Sequence, residues 1–133
     1  MPFLQGRHPN RLNSEHTLLV EDLIEMAESG WQEAVDAIVE MLADFHVSGT
    51  DSRFAEKFKS MPVWELKTRS RGGLKGGARV YFFVTPKGES MVVNAEVKSG
   101  NAPSEAKLYE VMVVFQASQK GIDVARTLRK EIQ

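Results

Sequence analysis

The sequence has no cysteine and no long apolar segment. The lack of Cys excludes disulfides, Cys-based zinc sites and Cys nucleophiles, so packing alone must hold the fold together. No apolar run approaches the roughly 20 residues of a membrane-spanning helix, and the first ten residues lack a signal-peptide core. We therefore expect a soluble, untargeted, cytoplasmic protein that makes no membrane contact. Its 133 residues suit a single domain, 1–133.

Charges of one sign dominate each of two parts of the chain. Residues 14–44 contain nine acidic residues and no Lys or Arg, whereas residues 57–79 contain seven basic residues and one acid, Glu65. The net charge of -1 therefore conceals a polarised distribution. Such asymmetry is typical of a partner surface, but for the acidic stretch we favour the simpler interpretation, the solvated face of two helices.

The acidic stretch has the pattern of two helices. Ser14 is a suitable N-cap, and apolar residues recur at helical spacing until Gly30, then again from Trp31 to a stop at Gly49. The pattern predicts an antiparallel helical hairpin over about 14–47. The histidines show no ligand spacing, and we expect neither a metal nor a cofactor.

The periodicity changes to two after residue 60. Residues 51–60 are expected to be helical or irregular, and alternation then predicts strands at 63–69, 78–84 and 91–98 within an antiparallel sheet over about 62–98. Helices should follow over about 103–132, interrupted at Gly121. The predicted fold class is α+β, with helices covering one face of a three- to four-stranded antiparallel sheet.

Strand alternation divides the sheet residues between two faces. The face beneath the helices is expected to hold Trp64, Leu66, Val80, Phe82, Val93 and Ala95. The opposite, solvated face is expected to hold Glu65, Lys67, Arg69, Arg79, Tyr81, Asn94, Glu96 and Lys98. Incidental charges on a wet surface explain any one of these residues. The acids are too few to pair every base, however, which favours a phosphate-bearing partner.

The connection between the first two strands is rich in glycine and in cations. The stretch TRSRGGLKGGAR, residues 68–79, has neither the P-loop spacing nor the GxGxxG turn, and it does not open a helix. A flexible connection explains its glycines but not its lack of acids. We interpret Arg71 and Lys75 as a rim that contacts a polyanion backbone.

Three stretches together resemble a known family. KSMPVWELKTRSRGG, then ARVYFFV, then MVVNAEVKSGNAPSEA are similar, in order and spacing, to the core of the RelE/HigB toxin superfamily, particularly its phage-derived HigB-like branch. The resemblance covers about residues 57–110. It implies a RelE-like fold whose first strand comes from residues 1–5, although the glycine connection is longer than the family's tight turn.

The resemblance implies a toxin of a type II toxin–antitoxin pair that cleaves mRNA on the ribosome without a metal. Its partners would be ribosome-bound mRNA and a cognate antitoxin, a DNA-binding helix-turn-helix protein. The implied catalytic residues are Arg79 for the scissile phosphate, Lys67 for the backbone, Glu65 as base and Lys98 as acid or clamp. The implied RNA-binding residues are Arg69, Arg71, Lys75, Tyr81 and Tyr109.

Two other functions remain open from the sequence. One is a non-catalytic or degenerate RelE-fold protein whose basic face only grips a partner. The other is a ParE-like toxin that acts on gyrase. The near-neutral net charge departs from the strongly basic character of ribosome-directed toxins, and no histidine falls in the predicted sheet.

Overall fold

The computed structural model describes residues 2–68, 77–98, 100 and 102–132, with the backbone alone at 122–127, 129, 131 and 132. Three helices and five strands make up the described chain. The helices are α1 (Leu18–Glu28), α2 (Gln32–Ser48) and α3 (Glu105–Ile132), with short 3-10 turns at Pro9–Arg11 and Gly49–Asp51. The strands are β1 (Leu4–Gln5), β2 (Ala55–Lys57), β3 (Trp64–Lys67), β4 (Ala78–Val84) and β5 (Ser90–Val97).

The five strands form one mixed sheet in the order β1-β5-β4-β3-β2. The pairs β2–β3, β3–β4 and β4–β5 are antiparallel, and β1 is parallel to β5. The α+β class is confirmed, but the predicted count of three or four strands and the purely antiparallel order are wrong. Strand β2 lies where we expected helical or irregular chain, because three residues are too few to show a period.

The helical hairpin forms, with a later start than predicted. Helix α1 is capped by Thr17, whose Oγ1 accepts a hydrogen bond from the Val20 amide at 3.3 Å. Ser14 is not the N-cap; its hydroxyl donates to the Arg11 carbonyl at 2.6 Å, within the preceding turn. Gly49 ends α2 as predicted, in the left-handed region at φ 56°.

Helices cover both faces of the sheet. Helices α1 and α2 pack over one face around Ile38, Phe45, Leu66, Val80 and Phe82. Helix α3 packs over the other around Val63, Tyr81, Phe83, Val93 and Val111. The prediction that the second face is solvated is therefore wrong: the apolar stripe of α3 needs a partner, and these sheet residues supply it.

A β-bulge explains one misplaced side chain. The β4–β5 register shifts between Tyr81 and Phe82, which pair with Asn94 and Val92. Val93 is the extra residue and packs on the α3 side, whereas Ala95 packs beneath α1 and α2. The prediction that Val93 and Ala95 share a face is wrong because strict alternation cannot anticipate an inserted residue.

Helix α3 is continuous through Gly121, so the predicted interruption there is wrong. Gly121 is not among the described glycines with positive φ, so it does not form a helix-ending turn. Within the described part of the chain, no helix combines the length and apolar character needed to cross a membrane.

Candidate functional site

Six of the nine predicted site residues fall in the described chain. Glu65 and Lys67 lie on β3, Arg79 and Tyr81 on β4, Lys98 immediately after β5, and Tyr109 on α3. The predicted RNA-binding residues Arg69, Arg71 and Lys75 lie outside the described residues.

Strand register brings the predicted catalytic residues together. Lys67 lies opposite Arg79, and Arg79 lies opposite Glu96 on β5. Glu65 lies opposite Tyr81 in the adjacent row. These residues occupy the α3 side of the sheet, so grouping them from alternation alone was correct in β3 and β4.

Arg79 and Glu65 form a buried ion pair. The Arg79 Nη1 and Glu65 Oε2 atoms are 2.8 Å apart, and the two side chains are only 3% and 6% exposed. Arg79 Nη2 also donates to the Gly100 carbonyl at 3.3 Å. The chain after β5 therefore passes over the guanidinium, with Gly100 in the left-handed region at φ 94°. The prediction of a solvated location is wrong for Arg79 and Glu65.

One donor of Arg79 has no acceptor among the residues that the structure describes. Its Nε is buried and has no hydrogen-bond partner within the described residues. An unsatisfied buried donor is costly, and a charged one more so. The guanidinium thus retains capacity for an additional acceptor, such as a phosphate oxygen.

Lys67 is held by a carboxylate that we did not predict. Lys67 Nζ lies 2.7 Å from Glu56 Oε2 on β2 and 3.7 Å from Glu65 Oε1. The hydrogen bond to Glu56 is the main cause that raises the pKa of Lys67, and the same bond lowers the pKa of Glu56. Only the pairing of β2 with β3 places Glu56 here, so a sequence reading without β2 misses it.

Lys98 lies close to two other cations. Its Nζ donates to the Thr68 carbonyl at 3.2 Å, where β3 ends. Burial lowers the pKa of Lys98, and the positive charges of Arg79 and Lys67 lower it further. We call Lys67, Arg79 and Lys98 the cation cluster.

The two predicted tyrosines have different environments. Tyr81 is fully buried and its hydroxyl donates to Glu96 Oε2 at 2.5 Å. Burial and then this carboxylate raise the pKa of Tyr81, so the phenol stays protonated. Tyr109 is 73% exposed on α3 and is not part of the contacts that join the cation cluster. Tyr109 can stack on a ligand without rearrangement, whereas Tyr81 would first have to be uncovered.

An open groove runs beside the cation cluster, at the end of the sheet where β2 begins. It has a volume of about 520 Å³. Its walls are Arg53, Phe54, Ala55, Glu56, Lys67, Thr68 and Lys98. Arg53 and Phe54 were not predicted as site residues, because nothing in the sequence indicates that the chain before β2 returns to the end of β3.

The described residues of the site include donors that are suited to anions. No group of three or more His, Cys, Asp or Glu side chains in the described ranges is arranged to hold a metal. Within the described residues, Glu56 pairs with Lys67 and Glu65 pairs with Arg79. The arrangement can bind a phosphate and can supply a proton from Lys98.

Comparison with known proteins identifies no family. No protein-family model matches the chain, and no curated protein matches it.

Proposed function

We propose that the protein is the toxin of a type II toxin–antitoxin pair, a cytoplasmic, metal-independent endoribonuclease acting on ribosome-bound mRNA. The observation that carries the proposal is the convergence of three cations at one end of the sheet, where Lys67 lies opposite Arg79 and Lys98 Nζ donates to the Thr68 carbonyl at the end of β3. Cations that repel one another in the free protein are relieved by a bound polyanion. Support also comes from the sequence resemblance, whose predicted catalytic residues converge in this cluster.

The chemistry requires the buried ion pair to open. A phosphate oxygen that accepts from Arg79 would release Glu65, which then accepts the proton of the 2′-hydroxyl as general base. The 2′-oxygen attacks phosphorus, the bond to the 5′-oxygen breaks, and Lys98 donates a proton to that oxygen. A lowered pKa makes Lys98 a better donor, and Lys67 and Arg79 stabilise the charge that develops on the phosphate.

The burial of Arg79 favours a second candidate. With both side chains of the Arg79–Glu65 pair almost fully covered, the cluster can bind RNA through Lys67 and Lys98 alone. The protein would then be a non-catalytic member of the same fold. In either case, the proposed antitoxin would cover the cation cluster with an acidic segment.

Cleavage of mRNA in a reconstituted translation reaction tests the proposal. We expect the wild-type protein, treated with EDTA before use, to cut mRNA on ribosomes. Lys98→Gln should reduce the cleavage rate by about 100-fold, which is the lower end of the range for loss of a general acid. Lys87→Gln, in the exposed β4–β5 turn, is the matched control and should cleave like wild type. Primer extension measures the cut sites.

Each other outcome has a defined meaning. RNA binding that weakens in Lys98→Gln, without any cleavage by wild type, selects the non-catalytic candidate. If the protein inhibits supercoiling by gyrase and leaves translation unimpaired, its target is gyrase and not RNA. A wild-type protein that neither cleaves nor binds RNA would contradict the proposal.

A further inference from the structure

The groove beside the cation cluster contains a stacked pair of side chains with no role in the proposed chemistry. The guanidinium carbon of Arg53 lies 4.7 Å from the centre of the Phe54 ring. The Arg53 side chain is 64% exposed and lies 3.6 Å from Glu40 on α2. A planar cation stacked on an aromatic ring offers a flat surface at the groove wall.

The backbone beneath this pair is fixed from two sides. The Ser52 hydroxyl donates to Asp44 Oδ2 on α2 at 2.6 Å and accepts from the Phe54 amide at 3.3 Å. The Phe54 carbonyl accepts from the Lys67 amide at 3.1 Å. The backbone that carries Phe54 is therefore held in a defined position relative to β3, which favours a pre-organised surface.

The stacked pair and two of the cations line the same groove. The Lys67 amide donates to the Phe54 carbonyl. Lys98 Nζ donates to the carbonyl of Thr68, the residue after Lys67. The groove volume of about 520 Å³ falls within the roughly 300–1,000 Å³ of ligand sites. A phosphate at the cations and a flat ring at Arg53 can therefore belong to one ligand.

We propose that Arg53 and Phe54 form a nucleobase-binding subsite that positions one base of the bound RNA beside the cation cluster. The inference rests on the proposed function in one respect, that the polyanion is RNA. Unstacked bases of single strands stack on aromatic rings and on the planes of Arg guanidinium groups. The base stacks on the exposed guanidinium, Phe54 supports it from below, and Lys67 and Lys98 hold the adjacent phosphate.

Affinity for a short single-stranded RNA, measured by fluorescence anisotropy, tests the subsite. We expect Arg53→Ala to weaken binding about tenfold, within the range for loss of one stacked base. Arg53→Lys keeps the charge and loses the plane, so it should weaken binding nearly as much. Lys87→Ala removes a cation far from the groove and should bind like wild type.

Abasic nucleotides separate stacking from charge. We replace one nucleotide of the oligonucleotide at a time by an abasic nucleotide. Loss of the base at one position should weaken wild-type binding about tenfold, and with that oligonucleotide Arg53→Ala should cause no further loss of affinity. Thermal unfolding of each variant checks that the fold is retained.

The two proposals fail in different ways. If wild type binds RNA and Lys98→Gln weakens it, but Arg53→Ala or Arg53→Lys binds like wild type, the subsite is wrong and the proposed function stands. An effect of Arg53→Ala that persists at every abasic position also overturns the subsite. If wild type binds no RNA, the proposed function fails as well.

Discussion

At the scale of single residues, the buried Arg79–Glu65 pair is the most constrained feature of the candidate site. Two charges removed from water lose hydration that their mutual attraction only partly replaces. The Nε of Arg79, which has no acceptor in the described part of the chain, adds to this penalty. A buried ion pair of this kind contributes little net stability, which is consistent with the phosphate-binding role proposed for Arg79.

Removing Glu65 alone should lower the free energy of unfolding far more than removing both Glu65 and Arg79. We expect Glu65→Leu to lower the free energy of unfolding by about 3–5 kcal/mol, because Arg79 then remains buried without compensation. Glu65→Leu combined with Arg79→Met should recover most of that loss. Urea denaturation monitored by Trp fluorescence measures both values.

The contrast between the single and double variants makes the test specific. Equal losses in both would mean that packing, not charge, governs the site. A single Glu65→Leu variant as stable as wild type would show that Arg79 reaches water in solution and is not covered by the chain at Gly100.

The grouping of these residues on one face of the sheet was predictable, but their burial was not. Alternation in β3 and β4 placed Glu65, Lys67 and Arg79 on one face. Whether that face meets water depends on α3 and on the chain around Gly100, which are distant in sequence. Local periodicity carries no information about either contact.

At the scale of elements, Asp22 joins α1, β5 and α3. Its Oδ2 accepts from the Ala95 amide at 3.0 Å, and its Oδ1 accepts from Lys107 at 2.8 Å. Strand β1 pairs with β5 only at Met91 and Val92, so the Ala95 amide has no strand partner on that edge. A helix side chain thus closes an edge that would otherwise offer unpaired backbone groups.

The effect of replacing Asp22 on the free energy of unfolding should depend on whether the new side chain can still accept the hydrogen bond from the Ala95 amide. Asp22→Ala leaves the buried Ala95 amide unsatisfied and should lower the free energy of unfolding by about 1–3 kcal/mol. Asp22→Asn keeps an acceptor and should change stability by less than about 1 kcal/mol, since burial raises the pKa of Asp22 despite the bond from Lys107. Urea denaturation at pH 7 compares the three proteins.

The pH dependence of this comparison has a defined sign. Because the folded-state pKa of Asp22 lies above 3.8, the folded protein binds more protons than the unfolded chain between those two values. Wild type should therefore gain stability relative to Asp22→Asn as the pH falls through that window. A loss of wild-type stability relative to Asp22→Asn as the pH falls would mean that Lys107 lowers the pKa of Asp22 by more than burial raises it.

Elements were predictable where their patterns are long. The 17 residues of α2 and the seven of β4 carry enough repeats to identify each element. Strands β1 and β2 have two and three residues and depend on pairing partners elsewhere in the chain. Gly121 shows the opposite error, because a residue that weakens a helix by about 1 kcal/mol need not end it.

At the scale of the whole molecule, the cation cluster and the core packing of the acidic helices α1 and α2 lie on opposite faces of the sheet, although Glu40 of α2 reaches Arg53 at the groove. The acidic helices α1 and α2 pack on one side, and the cation cluster lies on the side of α3. At 0.1 M salt, charges more than about 10 Å apart are largely screened when exposed to solvent. Salt therefore weakens the repulsion between an RNA at the cluster and the exposed acids of α1 and α2.

Salt dependence of RNA binding should report this separation. The logarithm of the association constant falls with the logarithm of salt concentration by about 0.7 per neutralised phosphate for a single strand. Lys98→Gln should therefore reduce the slope by about 0.7, and Lys67→Gln should act similarly. Glu28→Gln, an exposed acid on α1, should leave the slope unchanged, since α1 lies on the opposite face. Anisotropy titrations at several salt concentrations measure the slopes. A slope that Glu28→Gln alters as much as Lys98→Gln would show that RNA contacts the protein without regard to these faces.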